Sequence, residues 1–177
     1  MKVTVFGTGY VGLTQAVCLA QVGHSVLCMD VDAERVASLN AGHCPIFEPG
    51  LAPMLEKNLA CGRLRFTTDA SEAANYAKVQ FIAVGTPPQA DGSADLKHVF
   101  AVVDSILEHA DGPKLIVNKS TAPVGTVHRI KRASPRPWPI PAACASSATP
   151  SSSRKARRSM TACARSASSS VARSPPK

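Results

Sequence analysis

The feature that most constrains this 177-residue chain is a glycine run placed directly after its first apolar stretch. Val3-Thr4-Val5-Phe6 empties into Gly7-Thr8-Gly9-Tyr10-Val11-Gly12. A helix-like stretch from Leu13 to Val22 follows, then a second apolar run from Ser25 to Met29, and then Asp30. Strand, glycine turn, helix, strand and acid in that order predict the opening unit of a dinucleotide-binding domain. Gly7 permits the sharp turn out of the strand, Gly9 lets backbone approach a pyrophosphate, and Gly12 allows close packing of helix on strand. The helix N-terminus offers unpaired N–H groups and partial positive charge to the phosphates. Asp30 is placed to accept hydrogen bonds from ribose hydroxyls, and its charge would repel a 2′-phosphate, so the expected cofactor is NAD rather than NADP. A glycine turn in some other α/β domain is the plainer alternative. The strand before, the helix after and the acid at its distance argue together against it.

The rest of the chain continues the alternation. Residues 31–39 read as a helix capped by Asp32 with Val36 and Leu39 inward, and Arg35 lies one turn beyond Asp30, within reach of the adenosine end of a cofactor or else simply solvated. A proline-broken loop, His43 to Gly50, leads into a short helix from Leu51 to Leu59. A brief strand from Arg63 to Thr67 and a helix from Ala70 to Ala77 capped by Asp69 come next. Val79 to Val84 reads as a buried strand ending at Gly85-Thr86-Pro87-Pro88. Ligands of open parallel sheets sit at the carboxyl ends of strands, so Gly85 and Thr86 are expected to touch the cofactor. Asp95 is expected to cap a long helix, Leu96 to His109, with Val99, Val102, Val103 and Ile106 as core. Leu115 to Val117 is the last clear strand, and it runs into Asn118-Lys119-Ser120-Thr121. That polar strand end is read as functional, with helix capping by Ser120 or Thr121 as the structural alternative. The fold expected is α/β, a Rossmann-type doubly wound parallel sheet over residues 1–132.

Charge divides the chain at the same place. Up to Arg132 there are twelve Lys and Arg and twelve Asp and Glu; all eight units of net positive charge lie in residues 133–177, which hold no acid. The folded part therefore gives no electrostatic reason to expect a nucleic-acid partner. The tail, rich in Ser, Ala, Pro and Arg and without helical or strand periodicity, is expected to be disordered. No signal-peptide pattern opens the chain and no apolar run approaches the ~20 residues of a membrane span, so a cytoplasmic chain with no membrane partner is expected. Six cysteines lack metal-ligand spacing; Cys18 and Cys28 read as small buried hydrophobes, and no metal is expected. The five histidines stand beside turn or surface signals and are assigned no role.

Four runs in order carry a resemblance: Gly7-Thr8-Gly9-Tyr10-Val11-Gly12-Leu13; Pro45-Ile46-Phe47-Glu48-Pro49-Gly50-Leu51; Val84-Gly85-Thr86-Pro87 with Asp91-Gly92-Ser93-Ala94-Asp95-Leu96; and Lys119-Ser120-Thr121-Ala122-Pro123-Val124-Gly125-Thr126. The first ~130 residues resemble the NAD-binding domain of the UDP-glucose/GDP-mannose dehydrogenase family, with Ala122 departing from the valine usual there. The resemblance implies a two-step, four-electron oxidation of a sugar-nucleotide C6 alcohol, such as that of UDP-glucose, to a uronic acid. It implies two NAD consumed, a thiohemiacetal on a cysteine and a homo-oligomer for the intact enzyme. It further implies NAD contacts at Val11, Asp30, Arg35, Thr86 and Thr121, with Thr121 also helping to hold a catalytic water. The family's continuation Asn-Pro-Glu-Phe-Leu-Lys-Glu-Gly and its substrate domain, with the nucleophilic cysteine, find no match in residues 133–177. Written in GC-rich codons and read with one base dropped, that continuation gives Thr-Pro-Ser-Ser-Ser-Arg-Lys-Ala-Arg. Residues 149–158 are Thr149-Pro150-Ser151-Ser152-Ser153-Arg154-Lys155-Ala156-Arg157-Arg158. The expectation is a frameshift between about Lys131 and Ser146 and a chain inactive alone. A free-standing NAD-binding module, and a Rossmann domain with a nucleic-acid-binding arm, are the alternatives.

Overall fold

The computed structural model describes residues 1–130 other than 91, 127 and 129. The expected tail of residues 133–177 lies outside the described residues. In chain order the elements are β1 (Lys2–Phe6), α1 (Tyr10–Gln21), β2 (Ser25–Met29), α2 (Ala33–Asn40), α3 (Leu51–Ala60), β3 (Leu64–Thr67), α4 (Ala70–Tyr76), β4 (Val79–Ile82), α5 (Lys97–His109) and β5 (Leu115–Asn118). The five strands form one sheet in the order β3-β2-β1-β4-β5, and every pairing is parallel.

Alternation along the strands explains why both faces are covered. Val3 and Val5 of β1, Val26 and Cys28 of β2, and Leu64 and Phe66 of β3 share one face. They pack with Leu13, Ala16, Val17 and Ala20 of α1 and with Leu51 and Leu55 of α3. The intervening residues Phe6 and Leu27 face the other way, against Ala73 of α4 and Ile106 of α5. A third cluster joins Ile82 of β4 to Val99 and Val103 of α5. Strands buried on both sides are the condition for a doubly wound parallel sheet, and each fully buried Leu or Val here contributes on the order of 1.5–3 kcal/mol. The expected fold class is the one found.

Several boundaries differ from the sequence reading, each for a local reason. Helix α1 begins at Tyr10, not Leu13, because Gly9 is already its extended N-cap and its carbonyl accepts the Leu13 N–H at 2.9 Å. Strand β4 ends at Ile82; one more bond, Ala83 N–H to the Phe6 carbonyl at 2.8 Å, holds the chain before it leaves the sheet. Asp95 does not occupy the cap position of α5. Leu96 does, and the Asp95 carboxylate accepts the Lys97 N–H at 2.9 Å from one residue further out. Asp32 and Asp69 cap as expected, accepting the N–H groups of Arg35 and of Ser71 and Glu72. Cys28 is buried, whereas Cys18 is only half-buried, packed at the rim of the core.

The chain winds from β1 outward to β3 and then returns to place β4 on the other side of β1, so the winding reverses between β1 and β4. Gly7 and Gly12 meet at this reversal. A Cβ on Gly12 would lie 2.0 Å from the Gly7 carbonyl oxygen and 3.3 Å from the Ala83 Cβ; one on Gly7 would lie 2.7 Å from the Ala83 carbonyl oxygen. Only hydrogen fits at either place. Gly12→Ala is accordingly expected to lower stability by ~1–3 kcal/mol or more, read as an earlier urea midpoint at unchanged slope; an unchanged midpoint would mean that α1 does not sit this close.

Candidate functional site

The residues singled out in the sequence all come to one edge of the sheet. Gly7, Gly9, Tyr10, Val11 and Gly12 follow the carboxyl end of β1, Asp30 and Arg35 that of β2, Gly85 and Thr86 that of β4, and Thr121 that of β5. These are four consecutive strands of the sheet, centred on the reversal of winding, where ligands of such folds are held.

The turn after β1 is built to leave its outer side open. A Cβ placed on Gly9 meets nothing within 4 Å, in contrast to Gly7 and Gly12. No side chain caps α1 and its first turn carries no acid, so the Val11 and Gly12 N–H groups have neither an intrahelical partner nor a competing carboxylate. That end of the helix carries roughly half a unit of positive charge. Val11 and Tyr10 stand partly exposed at its rim, and the Tyr10 hydroxyl donates to Glu48, which ties the loop between α2 and α3 to the glycine turn. Gly85 is likewise open on its Cβ side, and Thr86 beside it is half-buried.

Asp30 is the most elaborately held group of the site. Its Oδ2 accepts from the Thr8 N–H at 2.8 Å and from the Thr8 hydroxyl at 2.5 Å, with the Arg35 guanidinium 3.7 Å away. Its Oδ1 accepts one bond, from the Asp32 N–H at 3.2 Å. Burial works against ionisation of Asp30. The Thr8 side-chain bond, the Thr8 and Asp32 N–H bonds and the Arg35 charge outweigh it and hold the carboxyl below its ordinary value. An ionised carboxylate with a spare acceptor position on Oδ1 can receive ribose hydroxyls. Arg35 also reaches Asp32 at 3.5 Å, so it lies across the outer end of the site rather than free in solvent.

At the end of β5 the structure separates two hydroxyls that the sequence left together. Ser120 is turned inward, its hydroxyl donating to the Val84 carbonyl at 2.7 Å, which stitches the segment after β5 to the segment after β4. Neither it nor Thr121 caps a helix; Thr121 is exposed on the ligand edge. The sequence reading missed Ser120 as a brace, Glu48 as the partner of Tyr10, and above all Thr8. Its signal was a small hydroxyl residue between two glycines with an acid ending the next strand. Cys28 lies near Asp30 but is no nucleophile: complete burial, reinforced by the Asp30 charge, pushes its thiol far up and keeps it neutral.

An uncapped helix end, a glycine whose Cβ space is open, and an ionised acid across from it fit a pyrophosphate and a ribose. Fold and site together define a dinucleotide-binding domain of the Rossmann type. Among known proteins, residues 1–136 match the NAD binding domain of the UDP-glucose/GDP-mannose dehydrogenase family. The chain belongs to that family, and its cofactor is NAD. It is 50% identical over 125 residues to the UDP-glucose 6-dehydrogenase TuaD of Bacillus subtilis, covering 71% of this chain and 27% of that protein. Against the UDP-glucose 6-dehydrogenase of Rhizobium meliloti it is 47% identical over 133 residues, covering 75% and 30%. A UDP-glucose dehydrogenase from Pyrobaculum islandicum superposes with a TM-score of 0.69 at 43% identity, covering 73% of this chain and 32% of that one. The GDP-mannose dehydrogenase of Pseudomonas aeruginosa, solved as a ternary complex, gives 0.70 at 37% identity over 73% and 30%. The chain thus spans about three tenths of the length of the relatives it matches.

The state of Asp30 has a consequence for stability. Its folded carboxyl titrates below the ordinary 3.8, so the ionised form favours folding. That contribution is whole above about pH 5 and is lost as pH falls through 3.8 toward the folded value. Urea unfolding across this window should show a loss of stability that is smaller in Asp30→Asn; equal losses in the two proteins would show that Asp30 is not held ionised by folding.

Proposed function

We propose that this chain is the NAD-holding part of a nucleotide-sugar dehydrogenase that oxidises the C6 alcohol of UDP-glucose or a related sugar nucleotide, and that residues 1–132 form this part. The observation that supports it most is the pairing of an open, uncapped helix end at Gly9 with an ionised Asp30 at the reversal of winding. In this reading the N–H groups of Val11 and Gly12 receive the pyrophosphate beside Tyr10, Gly7 and Gly12 set the turn that presents them, and Asp30 orients the adenosine ribose. Arg35 covers the adenosine side. Gly85 and Thr86 line the path toward the nicotinamide, and Thr121 lies past it, where it would position a water. Bound NAD supplies the hydride acceptor for the alcohol oxidation.

The half of the chemistry that needs a thiolate has no candidate among the described cysteines that combines exposure with a place at this edge. Cys28 is sealed in the core, and Cys61 ends α3, away from the four strand ends that carry the site. Covalent catalysis needs a positioned, ionisable sulfur. The 177-residue chain is therefore read as binding NAD without oxidising UDP-glucose by itself. The frameshift reading of residues 133–177 goes with this proposal, and sequencing the encoding DNA past Lys119 in all three frames decides it.

Two variants separate the fold from the site. Gly9→Ala places a methyl in open space at a helix N-cap, so it should cost no more than about 1 kcal/mol of stability. By calorimetric titration it should still weaken NAD binding ~10-fold or more, because the methyl occupies the approach of the pyrophosphate. Asp30→Ala should weaken NAD by ~1.5–3 kcal/mol, the range for hydrogen bonds to a charged group. Unchanged affinity in both variants, or NADH formation from UDP-glucose by the unaltered chain, would contradict the reading.

A further inference from the structure

We propose that Thr8 is a positioning residue for cofactor selection, holding the Asp30 carboxylate in the one orientation that presents an acceptor to the adenosine ribose. The inference rests on the reading above that Asp30 receives that ribose.

Thr8 is a non-glycine position within the turn, between Gly7 and Gly9, yet it is 1% exposed while Gly9 and Tyr10 beside it are open to solvent. A hydroxyl buried to that degree needs a partner, and it has the Asp30 Oδ2 at 2.5 Å. The Thr8 N–H donates to the same oxygen at 2.8 Å, so one residue makes two bonds to one carboxylate oxygen. Arg35 approaches this oxygen too, at 3.7 Å. Oδ2 is therefore filled from the protein side, and only Oδ1, with a single bond from the Asp32 N–H at 3.2 Å, keeps a vacant lone pair. A carboxylate side chain rotates freely about its last bond unless both oxygens are held. The hydroxyl of Thr8 supplies much of that restraint, and supplies it from inside the phosphate-binding turn. The element that receives the pyrophosphate and the acid that receives the ribose, 22 residues apart in sequence, are thereby one rigid unit. A glycine, alanine or valine at position 8 would leave the turn and its backbone N–H bond intact but take from Oδ2 the hydroxyl bond, so the acid would be held less tightly in its orientation.

The discriminating measurement uses the full 177-residue chain and two probes: NAD, and its analogue lacking the adenosine 2′-hydroxyl. The unaltered chain should bind NAD more tightly than the deoxy analogue. Thr8→Val, which removes the hydroxyl and keeps the shape, should lose ~3- to 10-fold in NAD affinity and bring the two ligands close to equality; Thr8→Ser should restore the preference. A merely structural role for Thr8 would weaken both ligands alike and leave their ratio unchanged, and that result overturns the proposal. Should Thr8→Val fail to fold, Thr8→Ala removes the hydroxyl without adding bulk and reads the same ratio. Asp30→Ala keeps the two failures apart. If it leaves the preference for the 2′-hydroxyl in place, Asp30 does not bind the ribose and the underlying reading falls. If it abolishes the preference while the Thr8 variants keep it, the reading stands and the role of Thr8 alone is wrong. In the double variant, loss of Thr8 should add nothing to loss of Asp30; an additive effect on the ratio counts against the proposal.

Discussion

The approach of α1 to the turn at Gly12, where a Cβ would lie only 2.0 Å from the Gly7 carbonyl oxygen, is the contact on which the site depends. Helix and turn can come this close only because neither residue carries a side chain. Gly7 additionally needs its positive φ of 96° to turn the chain out of β1 beneath the helix. The closeness fixes where the helix points. With α1 pressed onto the ends of β1 and β4, its first turn stands over the reversal of winding, and the N–H groups of Val11 and Gly12 lie at the crevice between those strands. A side chain at position 12 would lift the helix and swing these donors away from the ligand edge, whatever it did to the core.

The acid across the turn is positioned by a second set of constraints, electrostatic rather than steric. Burial alone would favour a protonated Asp30. Two bonds from Thr8, one from Asp32 and the charge of Arg35 reverse that preference. Three of these donors belong to backbone or to a short rigid side chain, so the ionised state is set by the fold itself and not by a mobile surface cation. The same field reaches Cys28 one layer inward, where it reinforces burial in keeping the thiol neutral. A site with one anionic acid and one electropositive helix end suits a dinucleotide whose ribose is unphosphorylated.

Much of this was legible in the residues because each local choice agreed with the next. The strand-forming run Val3 to Phe6, the glycines at their spacing and Asp30 at its distance left few topologies open, and a doubly wound sheet was the one they favoured. What escaped was information carried by non-local bonds. That Ser120 faces inward to the Val84 carbonyl while Thr121 faces out follows from the register of β4 with β5, and no spacing rule reveals it. The early end of β4 and the early start of α1 have a common cause: the sheet stops pairing where Gly7 must turn and Ala83 must pass beneath Gly12. The Asp95 expectation failed for a different reason. The helix begins at Lys97, one residue later than the sequence suggests, so Leu96 takes the cap position and Asp95 falls one residue outside it.

The glycines of the turn also show how a structure separates residues that serve the fold from those that serve a ligand. Gly7 and Gly12 are small because protein fills the space a side chain would need; their neighbours are Ala83, Val84 and each other. Gly9, in the same run and with an ordinary φ of −68°, has no protein atom within reach of its missing Cβ, so neither packing nor backbone strain accounts for it. Among the described residues, nothing stands in the way of an alanine there. The remaining reason for the absence of a side chain is a partner outside the chain that must come close to the backbone. The N–H groups of Val11 and Gly12 in the uncapped first turn point to an anion as that partner. Thr8, between the two kinds of glycine, is buried like Gly12 and makes two bonds to the Asp30 carboxylate across the turn. A dinucleotide is a ligand whose two ends need a fixed separation, and the Thr8–Asp30 bonds tie together the glycine turn and the end of β2 at that edge of the sheet.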